Sequence, residues 1–163
     1  AQAQTQLLAA AGARGRELAQ QVNRLANANG RIIVLTVPNV GITPFGVDEK
    51  ASRPDVDRAA LLRDLTAAFN RELRLNLIND GRLIGLVLAD ELIDSMAEFP
   101  AFYSLANWTR PACTVALPDC NNSTLAPSAT ATTWLWADSL RLAAQGHSKI
   151  GNAALTRAAR NPF

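Results

Sequence analysis

The chain has 163 residues, 48% apolar and 18% charged, with a formal net charge of +2, a composition that suits one folded domain and excludes a disordered or polyionic segment. Its basic residues are scattered through helical stretches, with no Lys/Arg block interleaved with aromatics, so nucleic-acid binding is not expected. No stretch approaches the ~20 apolar residues of a membrane span.

Residues 5–29 are predicted as an amphipathic helix, because Leu7, Leu8, Leu18, Val22 and Leu25 recur at helical spacing among Gln, Arg and Ala. The opening AQAQTQLLAAAGARG has no basic start before its short apolar run and does not read as a signal peptide; any export signal is expected upstream. Asn29-Gly30 stops the helix and turns the chain into RIIVLTVP, residues 31–38. Its continuous apolar run predicts a parallel strand buried on both faces. A polar loop rich in Gly and Pro is expected up to Pro54. Gly41 and Gly46 within it lack the spacing and the following helix of a phosphate-binding loop.

The next helix is the clearest element, with Asp55 as its expected N-cap and an apolar stripe of Leu61, Leu62, Leu65, Phe69, Leu73 and Leu77 running through Asn79. Asp80-Gly81 then turns into a second strand, RLIGLVLAD, ending near Asp90, and ELIDSMAEF follows as a short helix. Asp90 and Asp94 read as strand-end and helix residues rather than as an acid pair. Residues 100–131 are rich in Pro, Asn, Ser and Thr and are expected as loop, TTWLW (132–136) as a short strand, and SKIGNAALTRAAR as a closing helix. The alternation of helix and strand argues for an α/β layer with parallel strands. Two confident strands are too few for an independent sheet and leave an open edge, so the chain reads as part of a larger domain.

Cys113 and Cys120 sit close together in PACTVALPDCNNST. Free thiols are the simpler reading. A local disulfide is favoured, since an even cysteine count in one irregular loop is typical of exported proteins. One histidine and two sulfurs do not make a zinc site, and no cofactor is implied.

The segment TTWLWADSLRLAAQGHSKIGNAAL resembles the last block of GDSL-type (SGNH) serine esterases, in which an aromatic-rich strand leads to Asp-x-x-His and then to a Gly-His pair at the final helix. Trp134, Leu135 and Trp136 match the lead-in, Asp138 falls on the catalytic Asp, and Gly146-His147 on the Gly-His pair. The family's catalytic histidine falls on Arg141. VPNVGITPFG, LLRDLTAAFNRELR, FYSLANWTRPAC and the ending Asn161-Pro162-Phe163 resemble further family segments in order.

The resemblance implies that residues 1–163 form the C-terminal part of one SGNH domain, a partial flavodoxin-like three-layer sandwich whose N-terminal strands are missing. It also implies a secreted or extracytoplasmic bacterial protein acting on carboxylic esters or lipids when completed by an N-terminal half. In such enzymes a Ser attacks the ester, a His takes its proton, and an Asp orients the imidazole. The Gly-Asp-Ser block and the Gly-x-Asn-Asp segment of the family are both missing from this sequence.

Ala137-Asp138-Ser139-Leu140 spells nearly the nucleophile block, but the other blocks would have to follow Ser139 and do not. Arg141 stays protonated and has no acceptor lone pair, so it cannot act as a base, and an ion pair with Asp138 is the expected alternative. His147, the one histidine, is spaced differently from Asp138 than the motif requires. Tyr103, Asn107 and Trp108 are expected to pack their loop. The chain is therefore expected to be inactive alone. A non-catalytic α/β module that self-associates through an open sheet edge is the rival reading, and an unrelated flavodoxin-like binding domain a third.

Overall fold

The computed structural model describes residues 2–53, 55–78 and 81–160. Among them the chain is a mixed α/β fold of five helices and four short strands. In order these are α1 (Gln2–Asn27), β1 (Ile32–Leu35), α2 (Pro44–Ser52), α3 (Arg58–Asn76), β2 (Ile84–Val87), α4 (Ala89–Glu98), β3 (Asn107–Pro111), β4 (Trp134–Trp136) and α5 (Ala144–Ala159). β1 pairs in parallel with β2, Ile32 opposite Ile84 and Leu35 opposite Val87. β3 pairs in parallel with β4 through an irregular register. These are two separate two-stranded sheets.

α1 ends where expected. Asn29 takes a left-handed conformation (φ 64°), and the N–H groups of Asn29 and Gly30 close on the carbonyls of Ala26 and Leu25 at 2.8 and 2.9 Å. Its buried face is not the expected leucine stripe. Gly12, Gly15, Ala19, Val22 and Ala26 face inward, while Leu7 and Leu25 are about half exposed. The cause is a close approach of α1 to α3: a Cβ on Gly15 would run into the Phe69 carbonyl. At that separation only small side chains fit, and the leucines are turned outward.

α3 begins at Asp57, whose side chain accepts the Ala60 N–H at 2.9 Å, two residues after the expected cap. Its apolar face carries Phe69, Leu73 and Leu77 toward a core shared with Val22, Val34 and Ile84. Thr66 and Asn70 are also buried on it, two polar residues the stripe did not include. The helix ends at Asn76; the expected terminus at Asn79 and the turn residue Asp80 lie outside the described residues, as do Pro54 and the 161–163 ending.

Three further expectations are revised. The polar loop before Pro54 contains α2, started by Thr43, whose hydroxyl accepts the Gly46 N–H, with Pro44 in the first turn where its missing N–H costs nothing. RLIGLVLAD stops being a strand at Val87, because Asp90 and Glu91 open α4, where carboxylates suit the helix N-terminus. β1 is not buried on both faces: Val34 and Thr36 are covered by the α1–α3 side, but Leu35 and Val37 are 37% and 39% exposed. α5 lies toward that second face, and it covers β2 more fully than β1.

A second core gathers Ile93 and Met96 of α4, Leu105, and Leu135 and Trp136 of β4, with Tyr103, Leu142 and Ile150 against it. β3 forms within the stretch expected as loop, and the Trp136 indole N–H donates to the Trp108 carbonyl at 2.8 Å. Cys113 and Cys120 form a disulfide that closes the following loop. No described helix is long and apolar enough to cross a membrane.

Candidate functional site

Parallel α/β sheets present their reactive loops beyond the carboxyl ends of the strands. Here the chain leaving β4 makes a tight return. The Ala137 N–H donates to the Arg141 carbonyl at 2.7 Å, and the Ala143 N–H to the Leu135 carbonyl at 2.8 Å. Asp138 fills this turn. Its Oδ1 accepts the N–H groups of Leu140 and Arg141 at 2.9 and 2.6 Å, and its Oδ2 accepts an N–H of the Arg141 guanidinium at 2.6 Å. Burial works against its ionisation most strongly of any single influence. The backbone donors of Leu140 and Arg141 and the guanidinium charge together outweigh it and hold the carboxyl below its ordinary range.

The turn therefore brings Asp138 and Arg141 together. Ser139 lies on the same turn, but neither it nor His147 bonds to Asp138 among the described residues. Among the described residues, the hydrogen bonds of Asp138 come from Leu140 and Arg141. His147 sits on the first turn of α5, its backbone N–H donating to Ala143, and Ser139 is exposed with its carbonyl accepting the Phe45 N–H at 2.9 Å. No hydrogen bond joins Ser139 to His147 among the described residues, so there is no nucleophile–base pair.

Arg141 and His147 do share a groove of about 410 Å³. Its walls are Val37, Pro38 and Val40 from the exit of β1, and Trp136, Leu140 and Leu142 from the exit of β4. The lining is apolar apart from the two basic side chains and Thr43, whose hydroxyl is spent on the Val40 carbonyl at 2.7 Å.

Tyr103 packs against the second core, Asn107 braces its own turn, and the Trp108 side chain is exposed. The Tyr103 hydroxyl lies 3.0 Å from the Ser95 hydroxyl, and Asn107 Oδ1 accepts the N–H groups of Thr109 and Arg110. Trp108 holds the β4 indole through its carbonyl.

A second polar centre, at the ends of β1 and β2, was not read from the sequence. Asp90 accepts hydrogen bonds from the Thr36 hydroxyl at 2.6 Å, the Asn70 amide at 3.0 Å, and Arg74, whose Nη2 lies 2.6 Å from both carboxylate oxygens. Asn70 also grips Val37, accepting its N–H at 2.9 Å and donating to its carbonyl at 2.8 Å. Arg74 reaches Glu91 as well, at 2.8 Å. One turn along α4, Asp94 is held above its ordinary range, first by burial and then by the negative charges of Asp90 and Glu98, against a hydrogen bond from Asn39. The signal available in sequence was Asn70, a polar residue in register with the apolar stripe of α3. No group of described residues is arranged to hold a metal ion.

No protein-family model matches the chain, and a search of curated proteins finds no similar sequence.

Proposed function

We propose that this chain is the C-terminal part of a GDSL-type esterase domain in which an ion pair has replaced the acid–base pair, and that it does not hydrolyse esters by itself. The observation that carries this reading is the engagement of both Asp138 oxygens by the Leu140–Arg141 turn, with Arg141 at the position where the motif has histidine. A guanidinium cannot remove a proton from a serine, and Ser139 has no base beside it. The apolar groove next to Arg141 supports an ancestry in ester or lipid chemistry, since such sites are apolar clefts with few polar groups. The Cys113–Cys120 bond supports an extracytoplasmic setting, where disulfides persist. The finer fold, a flavodoxin-like sandwich with further strands beside β1, belongs to the same proposal.

Two measurements test it. The purified chain, incubated with a chromogenic short-chain ester, is expected to show no turnover above buffer; turnover would overturn the inactivity. The Arg141→His variant tests the ancestry separately. If the turn is a former Asp-x-x-His brace, Asp138 will raise the new imidazole above the usual pKa of about 6.5, followed by NMR. An unshifted imidazole at 141 counts against the assignment.

A further inference from the structure

The turn that carries Asp138 belongs to a ribbon of backbone hydrogen bonds that crosses four segments of the chain. The Ala137 N–H donates to the Arg141 carbonyl at 2.7 Å, which joins residues 135–137 to 141–143. On the other side of 135–137, the N–H groups of Ala112 and Cys113 donate to the carbonyls of Trp136 and Ala137, both at 2.9 Å. Residues 112–114 pair in turn with 124–126. The Ala126 N–H donates to the Ala112 carbonyl at 2.7 Å and the Thr114 N–H to the Thr124 carbonyl at 2.9 Å. Ala137 thus links the two halves of the ribbon, its N–H bonded into the Asp138 turn and its carbonyl bonded to Cys113.

The two halves are held by different means. Leu135 and Trp136 lie in the second core, and Ala112, bonded to Trp136, is buried as well. Beyond Ala112 this apolar anchorage stops, for residues 113–126 are all exposed or half-buried. Local hydrogen bonds shape the loop, among them the reciprocal pair between Asn121 and Thr124, whose hydroxyl accepts the Asn121 N–H at 2.8 Å. Water competes for such bonds, so each contributes little net stability. The covalent constraint on the loop is the bond from Cys113 to Cys120, and it starts at the residue whose N–H reaches Ala137. A disulfide acts by removing open conformations of the segment that it closes.

We propose that the Cys113–Cys120 bond is a redox latch on the Asp138 turn, positioning Asp138 and Arg141 through the hydrogen bond from Cys113 to Ala137. A dithiol reductant supplies two electrons and two protons to the S–S bond. Two thiols form on the chain, and the reductant closes into its own disulfide. Residues 113–126 then fray, the Ala137 carbonyl loses its donor, and the Asp138 turn, left with its own internal bonds, opens more often. The buried Ala112–Trp136 pair marks where the fraying stops. Oxidation restores the turn, which ties its assembly to compartments where disulfides persist. The inference rests on the ribbon itself and not on the esterase ancestry.

Amide exchange resolved by residue, on the intact chain with and without excess dithiothreitol, tests the latch. Reduction is expected to speed exchange at Cys113, Thr114, Ala137 and Arg141 by about tenfold or more, the scale of a lost loop closure, and reoxidation to reverse it. Ala143, bonded to Leu135 of the core, and Thr36, bonded to Val87 of the other sheet, are expected to stay unchanged. The paired substitution Cys113→Ala and Cys120→Ala is expected to reproduce the fast exchange without reductant and to ignore its addition. Slow exchange at Ala137 and Arg141 after reduction overturns the proposal. So does an acceleration that reaches Ala143 and Thr36 alike, which would make the bond a general support of the fold. A bond that excess reductant does not cleave in the folded chain overturns it as well. If the double variant fails to fold, the reduced and reoxidised chain decides.

Discussion

Asp90 and Asp138 each stand just beyond a β-strand and each binds an arginine, yet the two pairs belong to different regimes. Asp90 gathers donors from Thr36 after β1, from Asn70 and Arg74 of α3, and thereby ties three elements together. Among the described residues, Asp138 collects its donors from within three residues. The Arg141 side chain is 65% exposed against 31% for Arg74. An arginine held between elements can transmit stability across the fold, whereas one folded back on its own turn is screened by water and braces only that turn. The position singled out by resemblance to an enzyme motif is therefore not the one on which the fold most depends.

The contrast can be broken at several points. Asp90→Ala leaves Arg74 with Glu91 as its remaining carboxylate and frees the Thr36 and Asn70 donors, and is expected to cost about 3 kcal/mol. Asn70→Ala, which leaves both backbone groups of Val37 unpaired, is expected to cost about 2 kcal/mol. Both are read from midpoints in denaturant titration, and losses no larger than those at the β4 turn would remove the distinction. Asp138→Ala deletes the acceptor for two turn N–H groups, much as loss of a helix cap does, and is expected to cost about 1 kcal/mol. Arg141→Ala removes only the screened ion pair and is expected to change stability by less than about 0.5 kcal/mol. A larger loss at Arg141 than at Asp138 would show that the ion pair, rather than the backbone turn, holds this corner.

Acid provides the finest test. The Asp138 carboxyl is depressed in the folded chain, so the folded state binds fewer protons than the unfolded one. Its contribution is complete above the unfolded value of about 3.9 and is lost as pH falls through the lower folded value. Wild type and Asp138→Asn are accordingly expected to differ at neutral pH and to converge below about pH 4 in urea melts. A difference that persists undiminished into strong acid would mean that ionisation of Asp138 is not what stabilises the turn.

Features that depend on neighbours along the chain were legible in the sequence. The Asn29 stop of α1, the parallel β1 and β2, the short β4 strand and the Asp138–Arg141 contact each rest on local propensity, an apolar run or a spacing of a few residues. α2 had its signal in Thr43-Pro44, hidden by the surrounding glycines and prolines. Features set by distant partners were not legible. Periodicity placed a leucine face on α1, but it cannot know how closely α3 will approach; at Gly15 that distance admits no side chain and selects the small-residue face instead. The Asp90 centre joins residues 16, 20 and 54 positions apart, so none of its donors is visible as a local motif. By itself, the sequence determined the long helices α1 and α3, the strand runs of β1, β2 and β4, and the local turn that carries Asp138 and Arg141. Which faces are buried and which carboxylate braces the fold were decided only by tertiary packing, because each depends on what another part of the chain brings within a few ångströms.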